Sequence, residues 1–116
     1  MLKKHLVSYK YAMRGVWLAF RYEPNMIIHL IATIVVLIVN YLLEISRTDW
    51  LVTLMLIGVV LMSEIFNTAV EKLADRITQD QDPMIGHAKD LAAGAVLIIG
   101  AVAVVCAVII YWPYLS

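Results

Sequence analysis

The feature that most constrains this chain is a membrane-grade apolar run, starting at Trp50, that turns acidic without a break. It ends in Ser63-Glu64-Ile65-Phe66-Asn67-Thr68-Ala69-Val70-Glu71-Lys72-Leu73-Ala74-Asp75-Arg76. A helix turns about 100° per residue, so Glu64, Asn67, Glu71 and Asp75 share one face within about 80°. Ionised carboxylates are costly in hydrocarbon and normally face a protein interior or a wet cavity, where they mark function. The ladder therefore reads as a functional site whose natural ligand is a hard cation.

Composition fixes the class. Hydrophobic residues make up 63% of the 116 and charged residues only 16%, with a mean hydropathy of +0.86, well beyond a soluble domain. Net charge is zero, which points to no nucleic-acid partner. Cys106 stands alone in an apolar run and reads as a small inert hydrophobe. No cleaved leader is expected, because the first long apolar block begins only at Met26.

Residues 1–22 place Leu2, Leu6, Tyr9, Met13, Val16 and Phe20 on one face and Lys3, Lys10, Arg14 and Arg21 on another. That pattern predicts an amphipathic helix lying in the headgroup plane. Glu23-Pro24 interrupts it, since the residue before proline avoids the α region and proline suits the first turn of a new helix. Three membrane helices are expected at 25–43, 50–77 and 84–112, each long enough for a ~30 Å core. In the last, the uncharged run spans Leu91 to Trp112. Residues 44–49 form a short polar hairpin, and 78–83 an acidic turn with Asp82 placed to cap the helix that Pro83 opens. The whole chain, 1–116, reads as one all-α integral membrane domain.

Lys3, Lys4, Lys10, Arg14 and Arg21 precede the first span, and Lys72, Arg76 and Lys89 flank the second connection, against Arg47 alone in the first hairpin. The positive-inside rule then puts the N-terminus in the cytoplasm and the C-terminus outside. Trp50, Tyr111, Trp112 and Tyr114 fit an outer aromatic belt. Glu64 falls roughly 21 Å below Trp50 and Asp75 clears the membrane, so the ladder climbs from acyl-chain depth to cytosol. Ala93, Gly100, Ala103 and Ala107 form a small-residue stripe suited to close packing. Such buried polarity in three spans points to a homo-oligomer.

The block Glu64-Ile65-Phe66-Asn67-Thr68-Ala69-Val70-Glu71, the following Asp75, and Ala88-Lys89-Asp90-Leu91-Ala92-Ala93-Gly94-Ala95-Val96-Leu97, with Glu23 upstream, resemble the prokaryotic diacylglycerol kinase family, which includes the undecaprenol kinases. The likeness covers nearly the whole chain. It implies a homotrimeric helical bundle of three-span protomers in the bacterial inner membrane, with shared active sites at the cytoplasmic interface. It also implies transfer of the γ-phosphate of Mg-ATP to a lipid hydroxyl. Glu23 and Glu71 match the family's Mg2+ ligands, and Glu64 its general base. Asn67 would orient metal or phosphate, Lys89 would meet the transferring phosphate, and Asp75 and Asp90 would hold that constellation or contact nucleotide. Asp80, Gln81 and Asp82 match the turn that contacts ATP, and Lys4 and Tyr11 match contacts from the surface helix. A solvated loop and a lipid-facing basic helix explain these last five equally well.

There is no Walker loop or protein-kinase signature, so ATP use rests on the resemblance alone. Asn25-Met26-Ile27-Ile28-His29 and Ala92-Ala93-Gly94 look more like the undecaprenol kinase branch, with diacylglycerol close behind. His29 reads also as a polar residue hydrogen-bonded across the trimer. Two alternatives come from other classes: a small ion-coupled membrane transporter built on one buried glutamate, and a structural protein whose ladder is interhelical glue. Crowding of several acids at one interface argues against the transporter.

Overall fold

The computed structural model describes all 116 residues. Four helices account for nearly the whole chain: α1 (Leu2–Tyr22), α2 (Pro24–Leu42), α3 (Arg47–Ile77) and α4 (Pro83–Leu115). The last three are long and apolar enough to cross a membrane. This is an all-α membrane protein. At about 1.5 Å per residue α4 is about 50 Å long, which matches the longest molecular dimension of 51 Å.

Each break has a local cause. Between α1 and α2 only Glu23 leaves the helical region, at φ −104° and ψ 111°, as a residue before proline must. Met26 beside the bend is fully buried, while α1 is exposed along its length except near Ala19 and Phe20. Its apolar face (Leu2, Leu6, Tyr9, Met13) therefore has no partner within the chain.

The hairpin after α2 is tighter than expected. Glu44 adopts φ 51°, and the amides of Glu44 and Ile45 donate to the carbonyls of Tyr41 and Asn40. This is the left-handed termination usually built on glycine, with Ile45 buried beneath it. Ser46 then accepts from the Asp49 amide at 3.1 Å and caps α3. The second membrane helix consequently starts three residues before Trp50. Asp82 caps α4 as expected, its Oδ1 accepting from Met84 and Ile85 at 2.9 and 3.1 Å. At the other end α4 runs through Pro113 to Leu115, past the expected limit at Trp112.

Packing is most extensive between α3 and α4, with α2 set against α3. At the end of the bundle remote from Glu64, a polar clasp joins all three. Asn40 of α2 is fully buried, donates to Thr53 Oγ1 of α3 at 2.9 Å and accepts from Tyr111 Oη of α4. Tyr114 Oη donates to Asp49 and accepts from the Ser46 amide. These two tyrosines, expected in an aromatic belt, bond through their hydroxyls to neighbouring helices, because the end of α2 and the start of α3 offer polar partners there. The small-residue stripe is only partly used. Ala103 and Ala107 line a cleft between α2, α3 and α4, whereas a Cβ on Gly100 would meet open space.

Candidate active site

Because α3 is one uninterrupted helix from Arg47 to Ile77, the four ladder residues share a face, and their surroundings change along it. Glu64 is 5% exposed. Its carboxylate faces two α2 side chains: Asn25 Nδ2 lies 3.5 Å from Oε1 and His29 Nε2 lies 3.6 Å from Oε2. One turn along, Asn67 Nδ2 donates to Glu71 Oε1 at 3.4 Å. Asn67 Oδ1 is buried and has no partner at all. Two turns further, Asp75 accepts from Lys89 Nζ at 2.6 Å, which ties the end of α3 to the start of α4.

Lys89 stands in the first turns of α4, before the uncharged run that opens at Leu91. It thus sets its ammonium against the Asp75 carboxylate. The turn between α3 and α4 folds around the same lysine: Asp80, Gln81, Asp82, Lys89 and Asp90 line one open concavity of about 500 Å³. Within it, the Asp80 amide donates to Thr78 Oγ1, and Asp82 is committed to its helix cap.

Glu23 is brought to α3 by an ion pair with Lys72 at 3.1 Å. No three acidic, histidine or cysteine side chains converge within one chain, so Glu23 and Glu71 do not by themselves enclose a cation. The donors present nevertheless suit magnesium: they are hard oxygens, and one of them, Asn67 Oδ1, is buried, unpaired and beside the Glu71 carboxylate. Lys4 and Tyr11 stand exposed on α1, and neither side chain makes an ion pair or hydrogen bond to the ladder.

Three partners of the site were not singled out from the sequence: Asn25, His29 in its contact with Glu64, and Lys72. A signal existed for the first two. Asn25 and His29 are one turn apart on an otherwise apolar helix, the same spacing rule that exposes the ladder.

Comparison with known proteins gives the family. The family model described as prokaryotic diacylglycerol kinase matches residues 10–111. The chain belongs to that family. It is 36% identical over 114 residues to an undecaprenol kinase of Bacillus subtilis, covering 98% of this chain and 93% of the relative. A diacylglycerol kinase of Escherichia coli K12 is 29% identical over 105 residues, covering 88% and 81% of the two chains. A Synechocystis diacylglycerol kinase is 35% identical over 101 residues, covering 86% of this chain and 58% of that one. The protein is therefore a bacterial membrane lipid kinase, a phosphotransferase rather than a transporter.

Proposed function

We propose that this chain transfers the γ-phosphoryl group of ATP to a membrane-lipid hydroxyl at the cytoplasmic face of the bacterial inner membrane. The observation that carries the reading is the ordering along α3. A buried carboxylate, Glu64, lies below an unpaired amide oxygen and a carboxylate, and beyond these comes a cation, Lys89. A lipid hydroxyl is held in the membrane by its own tail and a nucleotide stays in water, so their meeting place must join those two levels.

On this reading Glu64 accepts the hydroxyl proton as the lipid oxygen forms its bond to the γ-phosphorus. The bond from phosphorus to the β,γ-bridging oxygen breaks, and ADP leaves. Lys89 offers a point charge to the transferring phosphoryl oxygens, and Asp75 fixes where that charge stands. Asp80, Gln81 and Asp90 border the concavity that would receive the nucleotide, and Lys4 and Tyr11 would reach it from the surface helix. Magnesium, when bound, neutralises phosphate charge. Glu71 and Asn67, with Glu23 once released by Lys72, would hold it.

Phosphoryl transfer asks mainly for positioning and charge stabilisation, which this arrangement supplies without a Gly-rich loop. One chain offers an incomplete metal shell, which supports a homotrimer with sites shared between protomers. Basic residues in α1 and around the α3–α4 turn support a cytoplasmic N-terminus. Undecaprenol is the favoured acceptor, since the Bacillus relative so named matches nearly the whole of both chains. Diacylglycerol is the alternative.

The test supplies purified protein in detergent with labelled Mg-ATP and, in parallel, undecaprenol and diacylglycerol. Label is expected in lipid, more on undecaprenol. Glu64→Gln keeps the side chain's size and should lower the rate by about 10²- to 10⁴-fold. A wild-type protein that labels neither lipid, or a Glu64→Gln variant at full rate, overturns the assignment.

A further inference from the structure

Resting on the reading of Glu64 as the base, we propose that His29 is a positioning residue that, with Asn25, fixes the carboxylate's orientation. A side chain that is 7% exposed on a membrane helix has few polar neighbours available, and Glu64 finds only two. They come from successive turns of one helix and divide the carboxylate between them, Asn25 toward Oε1 and His29 toward Oε2. Both contacts are long, 3.5 and 3.6 Å, as such contacts often are before substrate binds.

Thr33 Oγ1 donates to the His29 carbonyl at 2.8 Å, a back-bond within α2. His29 also lines the apolar cleft that runs on between α2, α3 and α4 toward Tyr111. The imidazole thus stands where base and cleft meet. Acting through its contact with Oε2, while Asn25 holds Oε1, it limits the Glu64 rotamers. A base needs that restriction, since displacing a reacting group by about 1 Å costs about a hundredfold in rate.

Three variants in the lipid-labelling assay, with kcat and KM resolved for each substrate, test this. His29→Leu should lower kcat by roughly tenfold to a hundredfold and leave KM for ATP unchanged. His29→Gln, whose amide retains a donor toward Glu64, should recover most of the loss. In a Glu64→Gln background, His29→Leu should have little further effect, because the two act as one unit. Detergent melting of each variant supplies the contrast. If His29→Leu lowers the melting temperature while kcat per folded molecule holds, the side chain is structural and the proposal fails. Full loss in Glu64→Gln with full activity in His29→Leu also sinks it but leaves Glu64 as base. Full activity in Glu64→Gln removes the base assignment and this proposal with it.

Discussion

The Asn40 clasp gives a sharp test of how this bundle is held together, because it is distant from the ladder. Thr53 and Glu64 are eleven residues apart on α3, roughly 16 Å along its axis. Asn40→Leu conserves approximate volume and deletes two interhelical hydrogen bonds, one to Thr53 and one from Tyr111. Thr53 keeps its bonds to the Asp49 and Trp50 carbonyls, whereas the Tyr111 hydroxyl loses its acceptor. Interhelical hydrogen bonds in membranes average about 0.6 kcal/mol and reach about 1.7, so two of them predict a loss of about 1 to 3 kcal/mol. The assay is SDS or thermal denaturation in micelles on wild type, Asn40→Leu, Tyr111→Phe and the double variant. The cycle should return a coupling of at least about 0.6 kcal/mol. Activity per folded molecule, measured well below the melting temperature, should match wild type. A coupling near zero would refute the clasp. A fall in kcat at unchanged stability would show instead that the outer end of the bundle communicates with the site.

Glu44 holds a left-handed conformation that costs a residue with a Cβ about 1 kcal/mol, so Glu44→Gly should stabilise the protein by about that amount in the same denaturation assay. Glu71→Gln should raise the magnesium concentration for half-maximal lipid labelling by at least about tenfold and weaken Mn2+ binding followed by electron paramagnetic resonance. Unaltered metal dependence in both measurements would remove Glu71 from the metal site.

Much of this architecture was legible because membrane insertion enforces simple rules. Three apolar stretches of sufficient length, a proline after Glu23, and an Asp-Pro pair at Asp82-Pro83 mark the spans, the bend and a helix start, and α2 to α4 follow them within a few residues. The ladder was legible for the same reason, since helical spacing alone puts Glu64, Asn67, Glu71 and Asp75 on one face. Partner choice was not legible in the same way. Nothing in the spacing of Tyr111 and Tyr114 distinguishes a headgroup anchor from a hydrogen bond to Asn40 or Asp49, because both use an amphipathic ring near a helix end. Glu44 was hidden too: glycine normally announces a left-handed cap, and here a glutamate fills it. One signal was present but unread. Asn25, His29, Thr33 and Asn40 all fall within about 80° on α2, which makes that helix a polar stripe matching Thr53 and Glu64 across the interface.

The matching stripes explain why α3 can serve two environments. Its inner acid, Glu64, takes all its partners from α2, whereas Asp75 takes its partner from α4. Asn67 and Glu71 lie between and bond only to each other. On the proposed reading this division is chemical. The α2 side holds the group that receives a proton at acyl-chain depth, the α4 side holds the cation that meets a nucleotide in water, and the phosphorus must pass between them. Asn67 stands one turn from Glu64, about 5.4 Å along the axis, and Glu71 one turn beyond that. The one buried side-chain oxygen with no partner in the chain, Asn67 Oδ1, is found at this level. Leaving such an atom unpaired costs stability, and its position between base and cation favours a role toward metal or phosphate over interhelical glue, which would have satisfied it.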